Sequence, residues 1–143
     1  MWLALSWANH MHSDAAWAWF SRQEDHRFFF CGLTQLGLLR LLATSAVMGK
    51  DVRTIGEAWQ VYDRWLEDPR VEIRQEASEL DSAFRAASRS VSRLSSPKAL
   101  GDRYLLAVSQ MTNATLVTFD QCLATAGRKM HQRVTLLEDR TAT

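Results

Sequence analysis

Asp102 and Asp120 are the residues whose type and placement best fit a shared chemistry. The first falls in the early turns of a predicted helix, and the second lies just past the carboxyl end of a predicted strand. In a parallel α/β arrangement, helix starts and strand ends share one edge, where such folds place their ligands. A helix advances about 1.5 Å per residue and a strand about 3.3 Å. The eighteen positions between the two aspartates therefore carry the chain down and most of the way back. Two carboxylates brought close repel unless a cation or proton lies between them. Hard oxygen donors without histidine favour magnesium (Mg2+) or manganese (Mn2+) over zinc. Such an ion would activate water and stabilise charge developing on a phosphodiester. The competing account is a capping aspartate and a turn aspartate with no joint role.

The elements that must position this pair follow from periodicity and punctuation. Pro69 and Pro97 both fall where a helical pattern has to stop or restart. The first predicted helix starts near Ser13 and runs through Trp17, Trp19 and Phe20. Arg27 to Cys31 is an aromatic run with the pattern of a buried strand, and Leu33 to Ala43 reads as an apolar helix. Thr54 and Glu57 have capping-box spacing, behind which Ile55, Trp59, Tyr62 and Leu66 form one apolar face. Val71 to Arg74 reads as a strand. Leu80, Phe84, Ala87, Val91 and Leu94 mark an amphipathic helix whose opposite side carries Asp81, Arg85, Arg89 and Arg93. A further helix spans about Lys98 to Met111, followed by a strand at Ala114 to Thr118. A last strand is expected at Arg133 to Leu137, with a frayed tail after Glu138. Alternating helices and short apolar strands predict an α/β domain with a mostly parallel sheet. Before the first helix there is no convincing strand, unless Trp2 to Leu5 is the stump of one.

Composition excludes several classes. The chain has 143 residues, 47% of them hydrophobic, with 17 basic against 16 acidic side chains and a net charge of +1. That length predicts a single domain over 1–143 with a core of its own, and the balance is not that of a disordered or disulfide-dense protein. Net charge is too small for bulk-charge binding of nucleic acid, so any RNA contact is local. Cys31 and Cys122 stand far apart with no CxxC spacing, which fits a reducing compartment, and no apolar run approaches the roughly 20 residues that span a bilayer. A cytoplasmic location and no membrane partner are expected. No phosphate-binding GxxxxGK[ST], GxGxxG or nucleophile–histidine–acid set occurs. His10 and His12, two apart, read as surface residues rather than ligands, and His26 and His131 as isolated and solvated. Trp17, Phe20, Trp59 and Tyr62 read as core residues rather than base-stacking platforms. The Arg85, Arg89 and Arg93 row reads as a solvated face, with Asp81 pairing Arg85, as readily as a phosphate contact.

Several segments resemble the PIN-domain ribonucleases, specifically the VapC-type toxins of bacterial toxin–antitoxin pairs. Trp2-Leu3-Ala4-Leu5 with Asn9-His10-Met11-His12 is similar to the family's residues after its first strand. Phe29-Phe30-Cys31 with Thr34 to Leu42 resembles its second strand and helix, and Ser96 to Ala107 and Leu116-Val117-Thr118-Phe119-Asp120 resemble its two C-terminal signatures. The resemblance covers about Met1 to Leu137. It implies a three-layer α/β/α fold and a metal-dependent endoribonuclease, inhibited by a cognate antitoxin, with the homodimer common in the family as a candidate assembly. It places Asp102 and Asp120 in an acidic cluster that binds the metal and cuts RNA, Thr118 in support of the loop carrying Asp120, and both Thr118 and Arg40 as substrate-binding candidates. Three departures stand beside it. The family's first catalytic aspartate lies in a strand just before the Trp-Leu-Ala-Leu segment, where this sequence begins at Met1; the expected explanation is a true start upstream. That strand is central in the family's sheet, so the 143 residues alone are expected to fold poorly. Gly37 stands where many members carry an acid, and Arg103 is a cation beside Asp102 where a small residue is usual. A catalytically inactive relic, acting at most as a protein-binding module, is the alternative reading.

Overall fold

A computed structural model describes residues 1–139 of the chain. They fall into two compact units, residues 1–75 with Asp139 and residues 76–138.

The first unit contains α1 (Trp2–Ser6), α2 (Ser13–Phe20), α3 (Gly32–Leu42), α4 (Ser45–Met48) and α5 (Ile55–Glu67). Strands β1 (Phe28–Phe30) and β2 (Val71–Ile73) pair in parallel, Phe28 with Val71 and Phe30 with Ile73. Phe30 is fully buried and packs with Leu38, Leu42, Met48, Ala58, Val61, Tyr62 and Val71. The Trp2–Leu5 segment is helical rather than the stump of a strand. Five residues without a strand partner satisfy their own backbone this way: Leu5 N–H donates to the Met1 carbonyl at 3.1 Å and Trp7 N–H to that of Leu3 at 3.0 Å. The helix lays Trp2 flat on Phe30, with centroids 4.0 Å apart. Beyond it, Trp7 Nε1 and Asn9 Nδ2 each donate to Asp51 Oδ2 at 2.8 Å, which ties the following loop to the turn after α4.

The capping box forms at α5, where Glu57 N–H donates to Thr54 Oγ1 at 3.2 Å and Thr54 N–H to Glu57 Oε2 at 2.7 Å. The face that α5 buries, however, is Ala58, Val61 and Tyr62. Ile55 is 71% exposed and Trp59 42%. One residue on a helix is a turn of about 100°, and Trp65 decides the rotation. Its ring meets Trp2 at 5.3 Å, Phe20 at 5.5 Å and Trp17 at 5.9 Å, and its Nε1 donates to Ser6 Oγ at 2.8 Å. Of the four aromatic residues expected in the core, Phe20 and Tyr62 are buried and Trp17 and Trp59 are not. Trp17 lies over Trp65 with one face outward and donates to the Leu5 carbonyl at 3.1 Å.

The second unit contains α6 (Leu80–Ser88), α7 (Pro97–Met111), β3 (Leu116–Thr118), α8 (Gln121–Lys129) and β4 (Val134–Leu136). The expected Asp81–Arg85 pair is present at 2.8 Å on an exposed face. The helix predicted as far as Leu94 ends at Ser88 and passes into a single tight turn at Arg89–Val91, leaving Leu94 exposed. Serine competes for backbone groups, and Ser88 Oγ donates to the Phe84 carbonyl at 2.8 Å where the helix stops. Strands β3 and β4 pair in parallel, Leu116 with Val134 and Thr118 with Leu136. The connection between them is α8, absent from the elements expected above. Its signals are the Asp120 cap, Leu123, Ala124 and Gly127 on one face, and Arg128-Lys129 in the last turn. Both units thus carry parallel strand pairs with helices, the α/β class expected. No helix of the described residues is long and apolar enough to cross a membrane. The tail expected to fray lies, from residue 140 onward, outside the described residues.

Candidate active site

The site is built at two chain turns of the second unit. Ser96 caps α7, its Oγ accepting Ala99 N–H at 3.3 Å, and Pro97 takes the first helical position, where a missing N–H costs nothing. A rigid start to α7 sets Lys98 and Asp102 one helical turn apart on a common face. At the other turn the chain leaves β3 at Thr118 and enters α8 with Asp120 as its cap. Asp120 Oδ1 accepts Leu123 N–H at 3.0 Å, while Asp120 N–H donates to Thr118 Oγ1 at 3.0 Å. The Thr118 hydroxyl is buried in this brace.

With Oδ1 committed to the helix, Asp120 Oδ2 faces Lys98. The ammonium Nζ stands 2.5 Å from Asp120 Oδ2 and 3.8 Å from Asp102 Oδ2. The two aspartates therefore gather around one positive charge. Asp120 does cap a helix, as the plainer account held, and it shares a cation with Asp102 as well.

The electrostatics differ between the two acids. Burial pushes the Asp102 carboxyl above its ordinary value, opposed by Lys98 and reinforced by the negative charge of Asp120. Asp120 is held below its ordinary value, first by the hydrogen bond from Lys98 and then by the Leu123 N–H. Lys98 is raised in turn, chiefly by its hydrogen bond to Asp120. The sequence pointed to Arg103 as the cation beside Asp102, but Arg103 Nη1 donates to Met130 Sδ at 3.5 Å, and its buried Nε has no hydrogen-bond partner among the described residues. Lys98, one turn earlier, occupies the shared position; its i, i+4 spacing from Asp102 was the signal available.

A divalent metal fits this pair in donor chemistry: two hard carboxylate oxygens converge on a position that already attracts a cation. Asp102 and Asp120 would supply two ligands, and magnesium commonly completes its shell with water. Among the described residues no group of three or more histidine, cysteine, aspartate or glutamate side chains is placed to hold an ion. That includes His10 and His12, where His12 N–H donates to His10 Nδ1 at 3.1 Å and His12 Nδ1 lies 2.9 Å from Asp139. His26 and His131 are exposed. Arg40 is exposed in the last turn of α3, in the first unit, whereas Asp102, Asp120 and Thr118 belong to the second.

The parallel strands joined through helices make this an α/β protein, and comparison gives the family. The PIN domain matches over residues 1–129, and the chain belongs to the PIN-domain family, among its VapC-type members. Two curated relatives, each named Ribonuclease VapC41, come from Mycobacterium tuberculosis strains CDC 1551 / Oshkosh and ATCC 25618 / H37Rv. Each is 33% identical over 132 residues, an alignment that covers 89% of this chain and 89% of the relative. The resemblance read from the motifs is thereby borne out as family membership.

Proposed function

We propose that the chain is a metal-dependent endoribonuclease of a toxin–antitoxin pair, acting as one PIN domain in the cytoplasm. The observation that carries this reading is the convergence of Asp102 and Asp120 on a single cation position. The VapC41 relatives, named as ribonucleases, support RNA as the substrate. Magnesium or manganese, when bound, supplies an acidified water and neutralises charge on the phosphodiester.

The residues of this chain do the rest. Asp120 is oriented by two hydrogen bonds, one to each side of the turn, so its Oδ2 is presented with little freedom. Thr118 acts through that turn by accepting the Asp120 N–H. Asp102, half-buried on a rigid helix, is a carboxylate that gains from a nearby positive charge, because burial opposes its ionisation. Arg40 is proposed as a contact to the RNA backbone, and a cognate antitoxin as the protein partner that blocks the site; a homodimer is a further proposed assembly.

The test is cleavage of labelled RNA by the purified protein with magnesium or manganese, against the same protein in chelator. Cleavage that requires the ion and is lost in Asp102→Asn and Asp120→Asn supports the reading, and Arg40→Glu is expected to weaken RNA binding. No cleavage with either ion, under conditions where an active PIN ribonuclease cuts, overturns it in favour of an inactive relic that binds protein.

A further inference from the structure

We propose that Lys98 is a built-in counter-ion that occupies the cation position of the acidic pair until a divalent ion displaces it, and so sets how tightly the protein takes up metal. This rests on the reading of Asp102 and Asp120 as the metal-holding pair. Its own basis is geometric. The ammonium donates to Asp120 Oδ2 at 2.5 Å and lies 3.8 Å from Asp102 Oδ2, touching the same two oxygens that a metal would use.

Those contacts and metal coordination exclude one another. A magnesium–oxygen bond is about 2.0–2.1 Å long, so an ion on Asp120 Oδ2 and the ammonium at its present place would be two positive charges in near contact. Oδ1 of Asp120 accepts the Leu123 N–H at the start of α8, so Oδ2 is the oxygen turned toward the cation position. Lys98, in contrast, can leave. Its side chain is 65% exposed, and the four-carbon stem can swing the ammonium into water. Arg103, the neighbouring cation, directs its Nη1 at Met130 Sδ and acts on Asp102 only through its charge, more weakly than Lys98.

The device has a chemical consequence. Without metal, Lys98 relieves the repulsion between the two carboxylates and holds Asp120 in place. Uptake of metal must break that contact first, so affinity is lower than two free carboxylates on the same backbone would give. Removing the ammonium while keeping an apolar stem of similar length should tighten binding by about tenfold, the lower end of the scale for one hydrogen bond between charged groups, which metal uptake would no longer have to break. Keeping a positive charge of different shape should leave affinity close to that of the parent.

The experiment is titration of the metal-free 143-residue protein with manganese, reading the free ion by its paramagnetic resonance signal, for the parent, Lys98→Met, Lys98→Arg and Asp102→Asn. Lys98 is exposed, so these substitutions spare the core. About tenfold tighter binding in Lys98→Met, parent-like binding in Lys98→Arg and loss in Asp102→Asn support the proposal. Equal or weaker binding in Lys98→Met, with binding still lost in Asp102→Asn, overturns it and leaves the metal pair standing. Manganese bound by neither the parent nor Lys98→Met overturns the acidic-pair reading, and the counter-ion role with it.

Discussion

Gly127 is where α8 comes closest to its neighbours, and its replacement by alanine tests the packing that holds the site's two turns in register. An ideal Cβ at this position would stand 2.5 Å from Val134 Cγ2 and 3.1 Å from Leu106 Cδ2. Both atoms belong to side chains with limited freedom to shift. Val134 is β-branched and stiff about χ1, in a strand paired with β3, and Leu106 is fully buried on α7. Overpacking of this kind costs about 1–3 kcal/mol, and a contact under 3 Å belongs at the upper end. Alanine's better helix propensity returns about 1 kcal/mol. The expected net loss is therefore about 1–2 kcal/mol, or roughly 3–8 °C in melting temperature for a chain of this size. Thermal and urea melts followed by circular dichroism measure it. Because α8 begins at Asp120 and α7 carries Asp102, the same displacement should lower metal-dependent cleavage. Val134→Ala removes the clashing methyl, so the double variant should recover more than the two single effects would give if they added. A Gly127→Ala protein as stable as the parent, or strictly additive behaviour with Val134→Ala, would refute the close approach and the argument built on it.

Two further outcomes follow from local features. Gly37 lies mid-helix in α3, and apart from its chain neighbours and its own helix backbone no atom comes within 4 Å of where an alanine Cβ would stand, so Gly37→Ala should raise stability by about 0.5–1 kcal/mol, read in the same melts; destabilisation would mean that the space is occupied. Asp51 is held below its ordinary value by donation first from Asn9 and then from Trp7. Its contribution is present above the unfolded value of about pH 4 and is lost as pH falls through the lower folded value. Asp51→Asn should therefore flatten the acid limb of a stability–pH profile, and an unchanged limb would remove Asp51 from its causes.

Much of the architecture was legible from short-range signals. The capping box at Thr54 and Glu57, the Ser96-Pro97 start of α7 and the Phe28–Phe30 strand each depend on residues within a turn or two of one another. Period and punctuation report such features directly. What they did not report has identifiable causes. Helix α8 is nine residues long and largely polar, so its apolar stripe of Leu123, Ala124 and Gly127 is too thin to stand out. Periodicity does not select the buried face of α5, because Ile55, Trp59 and Leu66 match the helical period about as well as Ala58, Val61 and Trp65 do.

By itself, then, the sequence determined the class of fold and most element positions, which are written in spacing along the chain; its motifs carried the resemblance to the family, and it singled out the two aspartates as candidates. Tertiary structure decided which side of α5 is covered, and that Lys98 rather than Arg103 meets the carboxylates. The reason is distance along the polymer. Trp65 selects its face by meeting Trp2, and Lys98 reaches an aspartate 22 residues away. Such meetings depend on where the chain returns, which no local hydrogen bond or periodicity encodes.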